Sequence, residues 1–272
     1  MQGTILLIGC GKMGGALLEG WFKRGVSPVD VMVVEPAGRG SVGPCSVHPA
    51  LTTLAGIDDV PTDFRPDVIV FAIKPQIVDQ ALPAYRRFVS DRPVFLSVIA
   101  GKTTAGIHSY LGRDVAVVRA MPNMPASVGK GITALYAAPS VSALQRQICD
   151  VLMAAVGEVV WVEDETLMDA VTAVSGSGPA YVFLFAEAMT AAGIEAGLSP
   201  DLAAKLAHAT IAGAGVMLEQ GTESPEILRR NVTSPGGTTA AALDVLIGDG
   251  GLKQLISKAV AAAAARSKEL AG

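Results

Sequence analysis

Almost continuous runs of Val, Ile and Leu recur along the first half of the chain, separated by segments in which apolar residues have helical spacing. Runs without a regular polar alternation are typical of strands that are covered on both faces. The predicted strands are Thr4–Ile8, Val31–Glu35, Asp67–Ile73, Pro93–Ile99 and Asp114–Ala120, with edge strands at Ile132–Tyr136 and Val159–Val162 and a first helix at Met13–Lys23. This alternation predicts an α/β, Rossmann-like doubly wound parallel sheet.

The pattern changes after Trp161. From Asp164 onward there is no strand pattern, and Ala- and Leu-rich helical runs are broken by Gly and Pro. Ser199-Pro200-Asp201 predicts a helix start, with Ser as the N-cap and Pro in the first turn, and Leu252–Leu270 predicts a closing helix. We therefore expect two domains, an α/β domain over residues 1–162 and an all-helical domain over residues 163–272.

Composition narrows the classes of partner. The net charge of −4 and the pI near 5.4 argue against nucleic acid or an anionic membrane surface. Cys10, Cys45 and Cys149 lie far apart and lack metal-ligand spacing, so reduced thiols and no metal site are expected. The N-terminus lacks a signal-peptide pattern, and the apolar run Ala180–Ala186 is too short to span a membrane. The protein is expected to be cytoplasmic.

A glycine-rich turn follows the first predicted strand and leads directly into a helix. Gly9, Gly11 and Gly14 form G-x-G-x-x-G, with Lys12 and Met13 between the last two. In this context the glycines allow a tight turn, close approach of a pyrophosphate and close packing of helix and strand, while the helix N-terminus attracts the anion. A glycine turn without a ligand is the alternative. The motif predicts binding of a nicotinamide dinucleotide.

The choice between NADH and NADPH stays open in the sequence. Glu35 ends the second predicted strand, about 20 residues after Gly14, where a carboxylate bonds the ribose 2′-hydroxyl and favours NADH. Arg39 follows in the same loop and can reach a 2′-phosphate, but a solvated loop charge explains it equally well.

Three later strand ends supply further candidates at the carboxyl edge of the sheet, where doubly wound folds bind ligands. Lys74 can contact the ribose or a carboxylate, unless it is a plain surface lysine. Ala100 and Gly101 are small enough to let a nicotinamide lie against the backbone. Asn123, in a loop fixed by two prolines, offers a donor and an acceptor at the nicotinamide end.

Two segments of the helical half are rich in Gly, Ser and Pro. Ser175–Ala180 interrupts a helical pattern, and this requires either a close helix crossing or backbone opened towards a ligand. The second segment precedes the predicted helix Ala240–Ile247 and offers N–H groups and hydroxyls to a small carboxylate, although capping alone is the alternative. Its residues are Ser234, Pro235, Gly236, Gly237, Thr238 and Thr239.

The sequence lacks a strong candidate for a general base. His48, His108 and His208 lie in unrelated contexts, and no Ser/His/Asp or Cys/His arrangement can be assembled. Oxidation of an alcohol normally requires a base to take the hydroxyl proton. Reduction of a C=N bond needs mainly orientation of the substrate next to the hydride donor, and the sequence favours that reaction.

These segments together resemble the pyrroline-5-carboxylate reductase family over essentially the whole length. The matching segments are Ile8–Gly14, Ala72–Gln76, Arg119–Ala126, Asp169–Tyr181 and Ser234–Thr239. The resemblance implies a Rossmann domain followed by a helical dimerisation and substrate-binding domain, with NADPH or NADH reducing 1-pyrroline-5-carboxylate to L-proline. It adds Ala72 and Pro75 to the expected cofactor residues.

The resemblance also implies roles in the substrate site. The Ser234–Thr239 turn would hold the substrate carboxylate together with Ser175, and Thr239 would bond the ring nitrogen, so that Thr239 and Lys74 are the catalytic candidates. The active site would be shared between the subunits of a homodimer, and some family members assemble further. One departure is Glu35-Pro36-Ala37, where NADPH-preferring members usually carry hydroxyl or Arg side chains.

Three other classes of protein are alternatives. A β-hydroxyacid dehydrogenase would require a catalytic lysine between Asp164 and Gly197, where the sequence has none. An imine reductase would have no need of the carboxylate-binding turn. A non-catalytic NAD(P)-binding regulator would have no reason to retain both the cofactor turn and the Ser234–Thr239 turn.

Overall fold

An eight-stranded sheet organises the computed structural model, which describes residues 3–271 apart from the side chains of residues 46, 47 and 271. The strands are β1 (Ile5–Ile8), β2 (Val31–Val34), β3 (Thr52–Leu54), β4 (Val68–Phe71), β5 (Val94–Ser97), β6 (Ala116–Met121), β7 (Gly131–Ala137) and β8 (Gly157–Trp161). Their order is β3-β2-β1-β4-β5-β6-β7-β8. β1 to β6 are parallel, β7 runs antiparallel to β6, and β8 is parallel to β7.

Ten α-helices are assigned within the described residues. They are α1 (Lys12–Lys23), α2 (Val78–Ala81), α3 (Thr104–Leu111), α4 (Ala143–Ala154), α5 (Met168–Val171), α6 (Gly178–Glu195), α7 (Pro200–Gln220), α8 (Pro225–Asn231), α9 (Thr238–Ile247) and α10 (Leu252–Ala271). One π-helical turn, Thr172–Gly176, separates α5 from α6. No helix within residues 3–271 is both long enough and apolar enough to cross a membrane.

The central strands are buried on both faces, as their uninterrupted apolar sequences predict. Along β1, Ile5 and Leu7 pack into one core with Trp21 of α1, whereas Leu6 and Ile8 pack into a second core on the opposite face. This division follows from the two-residue repeat of a strand. The Rossmann-like parallel sheet expected from the sequence is therefore confirmed, with β7 and β8 at one edge.

Packing divides the chain into two units. The first comprises Met1–Gly176 together with Ala264–Gly272, and the second comprises Ser177–Ala263. The first unit extends beyond the sheet because Met168 of α5 is fully buried and the π-turn is tied to the loop after β6. The domain boundary expected between residues 162 and 163 stays a prediction.

The C-terminal part of α10 belongs to the first unit. The Ser267 hydroxyl donates to Asp169 Oδ1 at 2.6 Å, and Ser267 is buried. The carbonyl of Leu270 lies 3.1 Å from the position that a Cβ on Gly101 would occupy. Gly101 also has a φ of +74°, so glycine is required there both for its backbone conformation and for this approach.

A buried ion pair joins three parts of the first unit. Arg119 Nη1 on β6 lies 3.3 Å from Glu165 Oε1, and the two side chains are 6% and 20% exposed. The Glu165 carboxylate also accepts from the backbone N–H of Thr104 at 2.8 Å and from the Thr104 hydroxyl at 2.6 Å. The Glu165 carboxylate therefore connects the segment after β8, in which it lies, to β6 and to the start of α3.

The second unit is helical, and α6 and α7 pack against each other within it. Ser199 and Pro200 begin α7 as the sequence predicts. Large apolar side chains of α6 are nevertheless exposed at four successive positions: Val182 (48%), Phe183 (52%), Leu184 (64%) and Phe185 (41%). Successive positions point in different directions around a helix, so α6 presents apolar surface on several sides.

Candidate functional site

The turn between β1 and α1 has the geometry that its glycines predict. Gly9 has a φ of +82°, and a Cβ there would lie 2.8 Å from the carbonyl of Ala72. A Cβ on Gly14 would clash with the carbonyl of Gly9. Gly11, by contrast, faces open space with no atom within 4 Å of the corresponding position. Two of the three glycines therefore serve the fold, and the third leaves room for a ligand.

The N-terminus of α1 offers unused donors beside Gly11. No side chain caps this helix, and the first N–H groups of a helix have no acceptor within it. Lys12 is exposed and Met13 packs partly against the core, so Met13 can offer a ligand its backbone N–H. Such a terminus suits a pyrophosphate.

A cavity of about 560 Å³ lies along this turn. Five of the predicted cofactor residues line it: Gly9, Gly11, Glu35, Ala72 and Lys74. One wall is completed by Ala55, Gly56 and Ile57, which follow β3. The sequence patterns predicted neither these residues nor β3 itself. Its space, its glycine-lined approach and the adjacent helix terminus fit a dinucleotide.

Glu35 is anchored at both carboxylate oxygens. Oε2 accepts from the backbone N–H of Cys10 at 2.7 Å, and Oε1 accepts from that of Ala37 at 3.1 Å. The carboxylate therefore stands between the glycine turn and the segment that follows β2. Burial, and to a lesser extent Cys45 and Glu35, raises the pKa of the Cys10 thiol from 9.0 to about 12, so this thiol is neutral at physiological pH.

Arg39 is not among the residues that line the cavity. Its guanidinium donates to the carbonyl of Leu51 at 2.9 Å and to the carbonyl of His48. These bonds tie together the long connection between β2 and β3. Pro75 begins a short 3₁₀ turn after Lys74, and Lys74 itself is exposed at the cavity rim.

Asn123 uses both ends of its amide within the protein. Its Oδ1 accepts from the N–H of Ile132 at 3.0 Å, and its Nδ2 donates to the carbonyl of Ser175 at 3.2 Å. The Ser175 hydroxyl in turn donates to the carbonyl of Val171 at 2.9 Å. Asn123 and Ser175 therefore meet, and the amide fixes the loop after β6 to the π-turn. Neither Asn123 nor the Ala100–Gly101 pair lines the 560 Å³ cavity.

The break predicted in the helical pattern around Ser175 is a π-turn. A Cβ on Gly176 would contact Cε of Met121 at the end of β6, which is the flexible end of that side chain. The turn gives Ser175 a carbonyl that Asn123 can reach. Interruptions of this kind occur frequently at functional sites.

The Ser234–Thr239 turn precedes α9 in the second unit. Gly237 is the N-cap, so no side chain caps the helix, and its N–H donates to the carbonyl of Ser234 at 3.1 Å. Gly236 has a φ of +69°. A Cβ on Gly237 would lie 2.6 Å from Ser234 Oγ, so a larger residue would displace that hydroxyl. The turn thus presents uncapped N–H groups and hydroxyls to solvent, as a carboxylate site would.

Within residues 3–271, no group of three or more His, Cys, Asp or Glu side chains is arranged to hold a metal ion. The cavity and the uncapped start of α1 suit a dinucleotide, and the uncapped start of α9 suits a small anion. The described residues that line the cavity carry four ionisable groups: the carboxylate of Glu35, the ammonium of Lys74, the Cys10 thiol and the Tyr85 phenol.

Comparison with known proteins identifies both halves of the chain. Residues 165–270 match the family described as pyrroline-5-carboxylate reductase dimerisation, and residues 4–101 match NADP oxidoreductase coenzyme F420-dependent. The chain is 37% identical over 270 residues to a pyrroline-5-carboxylate reductase of Pseudomonas aeruginosa, covering 98% of this chain and 96% of that protein. It is 39% identical over 289 residues to one of Mycobacterium tuberculosis, covering 98% and 96%.

Solved structures of similar proteins point to the same family as the sequence comparisons. A pyrroline-5-carboxylate reductase of Coxiella burnetii superposes with a TM-score of 0.91 at 34% identity, covering 100% of both chains. The pyrroline carboxylate reductase of Plasmodium falciparum, solved with NADP bound, superposes with a TM-score of 0.83 at 28% identity, covering 100% of this chain and 99% of that one. Because the sequence similarity is high and extends over nearly the whole length, this chain belongs to the pyrroline-5-carboxylate reductase family.

Proposed function

We propose that this protein reduces the C=N bond of 1-pyrroline-5-carboxylate with NADPH or NADH, giving L-proline in the last step of proline biosynthesis. One hydride is added to the ring carbon of the C=N bond and one proton to the ring nitrogen, while NAD(P)H becomes NAD(P)⁺. Similarity over nearly the whole length to pyrroline-5-carboxylate reductases carries the proposal.

The first unit holds the dinucleotide in this proposal. The N-terminus of α1 binds the pyrophosphate, and the open space beside Gly11 admits it. Glu35, Ala72, Lys74 and Pro75 lie on the ribose side, and the small residues Ala100 and Gly101 let the nicotinamide lie against the backbone. When bound, the reduced nicotinamide supplies the hydride.

The second unit holds the substrate carboxylate at the Ser234–Thr239 turn, since an uncapped helix N-terminus attracts an anion. The Thr239 hydroxyl bonds the ring nitrogen and orients the C=N bond. Ser175, whose carbonyl accepts from Asn123, is a further candidate for binding the substrate. Lys74 is the second catalytic candidate, as a cation that can approach the substrate carboxylate.

The protein acts as a homodimer. The dimerisation family matches residues 165–270, and the exposed apolar residues of α6 require a covering surface. We further propose that each active site combines the cofactor half of one subunit with the substrate half of its partner. Assembly beyond the dimer is part of the same proposal. The three unpaired cysteines suit a reducing compartment and support a cytoplasmic location.

The test measures turnover of 1-pyrroline-5-carboxylate by loss of NADH or NADPH absorbance, together with chromatographic detection of proline. Thr239→Val removes the hydroxyl at nearly constant volume and should lower kcat/KM by about 10- to 100-fold, because a hydrogen bond to the reacting group is lost. Thr239→Ser retains the hydroxyl and should recover most of this loss.

Dissociation constants for the two cofactors, measured by fluorescence titration, serve as the control and should not change in either variant. Absence of proline formation with both cofactors would refute the reductase function. Equal kcat/KM for wild type and Thr239→Val would refute the role of Thr239 alone.

A further inference from the structure

The rim of the cavity after β2 carries a fixed negative charge. The carboxylate of Glu35 is held by the N–H groups of Cys10 and Ala37 at 2.7 and 3.1 Å, and Glu35 is half-buried. Both carboxylate oxygens are thus hydrogen-bonded to the backbone, which holds the side chain at this rim. A ligand that occupies this end of the cavity must therefore meet the carboxylate.

Among the described residues between β2 and β3, those that line this rim provide no compensating cation. The described residues after β2 that line the cavity are Glu35, Pro36, Ala37 and Ser41. The Ser41 hydroxyl donates to the carbonyl of Gly38 at 2.7 Å, and the Arg39 guanidinium donates to the carbonyls of His48 and Leu51. Lys74, the cation among the lining residues, follows β4 instead.

We propose that the protein uses NADH in preference to NADPH and that Glu35 determines this specificity, an inference that rests on the proposed reductase function. The carboxylate can accept a hydrogen bond from a ribose 2′-hydroxyl. A 2′-phosphate in the same position places like charges together in a partly buried site, where repulsion is stronger than in water. The NADP-bound relative from Plasmodium falciparum has the same fold, so cofactor choice must depend on local groups of this kind.

The experiment compares kcat/KM for NADH and NADPH with saturating 1-pyrroline-5-carboxylate. Wild type should favour NADH by at least about tenfold, the ratio that one anchored charge is expected to give. Glu35→Gln removes the charge but keeps an oxygen that can accept from the Cys10 N–H, and it should raise kcat/KM for NADPH and bring the ratio towards one.

Asp58→Asn is the matched control, because Asp58 is an exposed carboxylate next to Ile57 of the cavity wall but does not line the cavity. The same loss of charge at this position should leave the cofactor ratio within about twofold of wild type. Arg39→Ala adds a second comparison. If the guanidinium binds a 2′-phosphate, this variant loses NADPH activity selectively, whereas the proposal expects no selective loss.

Failure of this inference and failure of the proposed reductase function give different results. Wild type that prefers NADPH, or uses both cofactors equally, would overturn the inference. A Glu35→Gln ratio no different from that of Asp58→Asn would overturn the role of Glu35. Absence of turnover with both cofactors would refute the reductase function, and fluorescence titration with NADH and NADPH then still measures the preference directly.

Discussion

Removing the Glu165 carboxylate should destabilise the first unit, because this carboxylate has three partners and a buried guanidinium depends on it. In Glu165→Ala, the charged guanidinium of Arg119, a residue that is 5% exposed, loses its ion-pair partner. The N–H and the hydroxyl of Thr104 lose their acceptor. Breaking a buried ion pair from one side costs about 3–5 kcal/mol. The 20% exposure of the Glu165 side chain admits some water, so we expect about 3 kcal/mol.

A second pair of variants separates the charge from the hydrogen bonds. Glu165→Gln keeps one acceptor for Thr104 and should cost about 2 kcal/mol. Arg119→Met combined with Glu165→Gln removes the unpaired charge, so the double variant should be more stable than the sum of the single changes predicts, by at least about 1 kcal/mol.

Urea unfolding at fixed protomer concentration measures these differences, because the stability of a dimer depends on concentration. Glu163→Ala is the matched control. That side chain is 84% exposed, with Arg146 at 4.0 Å, and its removal should cost less than about 0.5 kcal/mol. A loss below about 1 kcal/mol for Glu165→Ala, or additive effects in the double variant, would refute this account of the ion pair.

Two further predictions concern the shared site and the buried thiols. In Gly11→Val the new side chain fills the ligand space, so this variant and Thr239→Val should each have little activity alone. If active sites are shared, mixing the two kinds of subunit should restore about a quarter of wild-type activity, because about half of the dimers are mixed and each mixed dimer has one intact site. No recovery would contradict sharing. Burial raises the pKa of the Cys10 and Cys149 thiols from 9.0 to about 12. The protonated thiols therefore favour the folded state below pH 9, and their contribution to the free energy of unfolding should fall as the pH rises towards 12. Urea midpoints of wild type and of Cys149→Ala, measured at pH 8 and about 10.5, test this, and a wild-type midpoint that falls no more than that of the variant would contradict it.

Strong local patterns in the sequence were sufficient to predict the sheet. The five central strands appear where mainly apolar runs predicted them, because a strand covered on both faces is largely apolar, and the buried Arg119 of β6 is ion-paired. β3 was missed because it has three residues, two of them threonines, and is not fully buried. It is held as a strand by pairing with β2, a contact between distant residues that no local pattern reveals.

The candidate site was predictable in its residue types but not in its contacts. Gly9 and Gly14 could be assigned to the turn because a helix that follows a strand this closely requires glycine there. The bonds of Glu35 to Cys10 and of Arg39 to the carbonyls of His48 and Leu51, just before β3, depend on how a long connection folds back. Asn123 was expected to offer a donor and an acceptor near the nicotinamide end, and the structure adds that its amide joins β7 to the π-turn.

The return of α10 to the first unit has a consequence for biosynthesis. The buried bond from Ser267 to Asp169 and the approach of Leu270 to Gly101 involve residues that the ribosome adds only after all of Ser177–Ala263. The strands of the sheet can pair while the chain is still being made, but the packing around Gly101 and Asp169 must wait for those later residues. The nucleotide-binding half therefore completes its folding after the helical half has been synthesised, although it is encoded first.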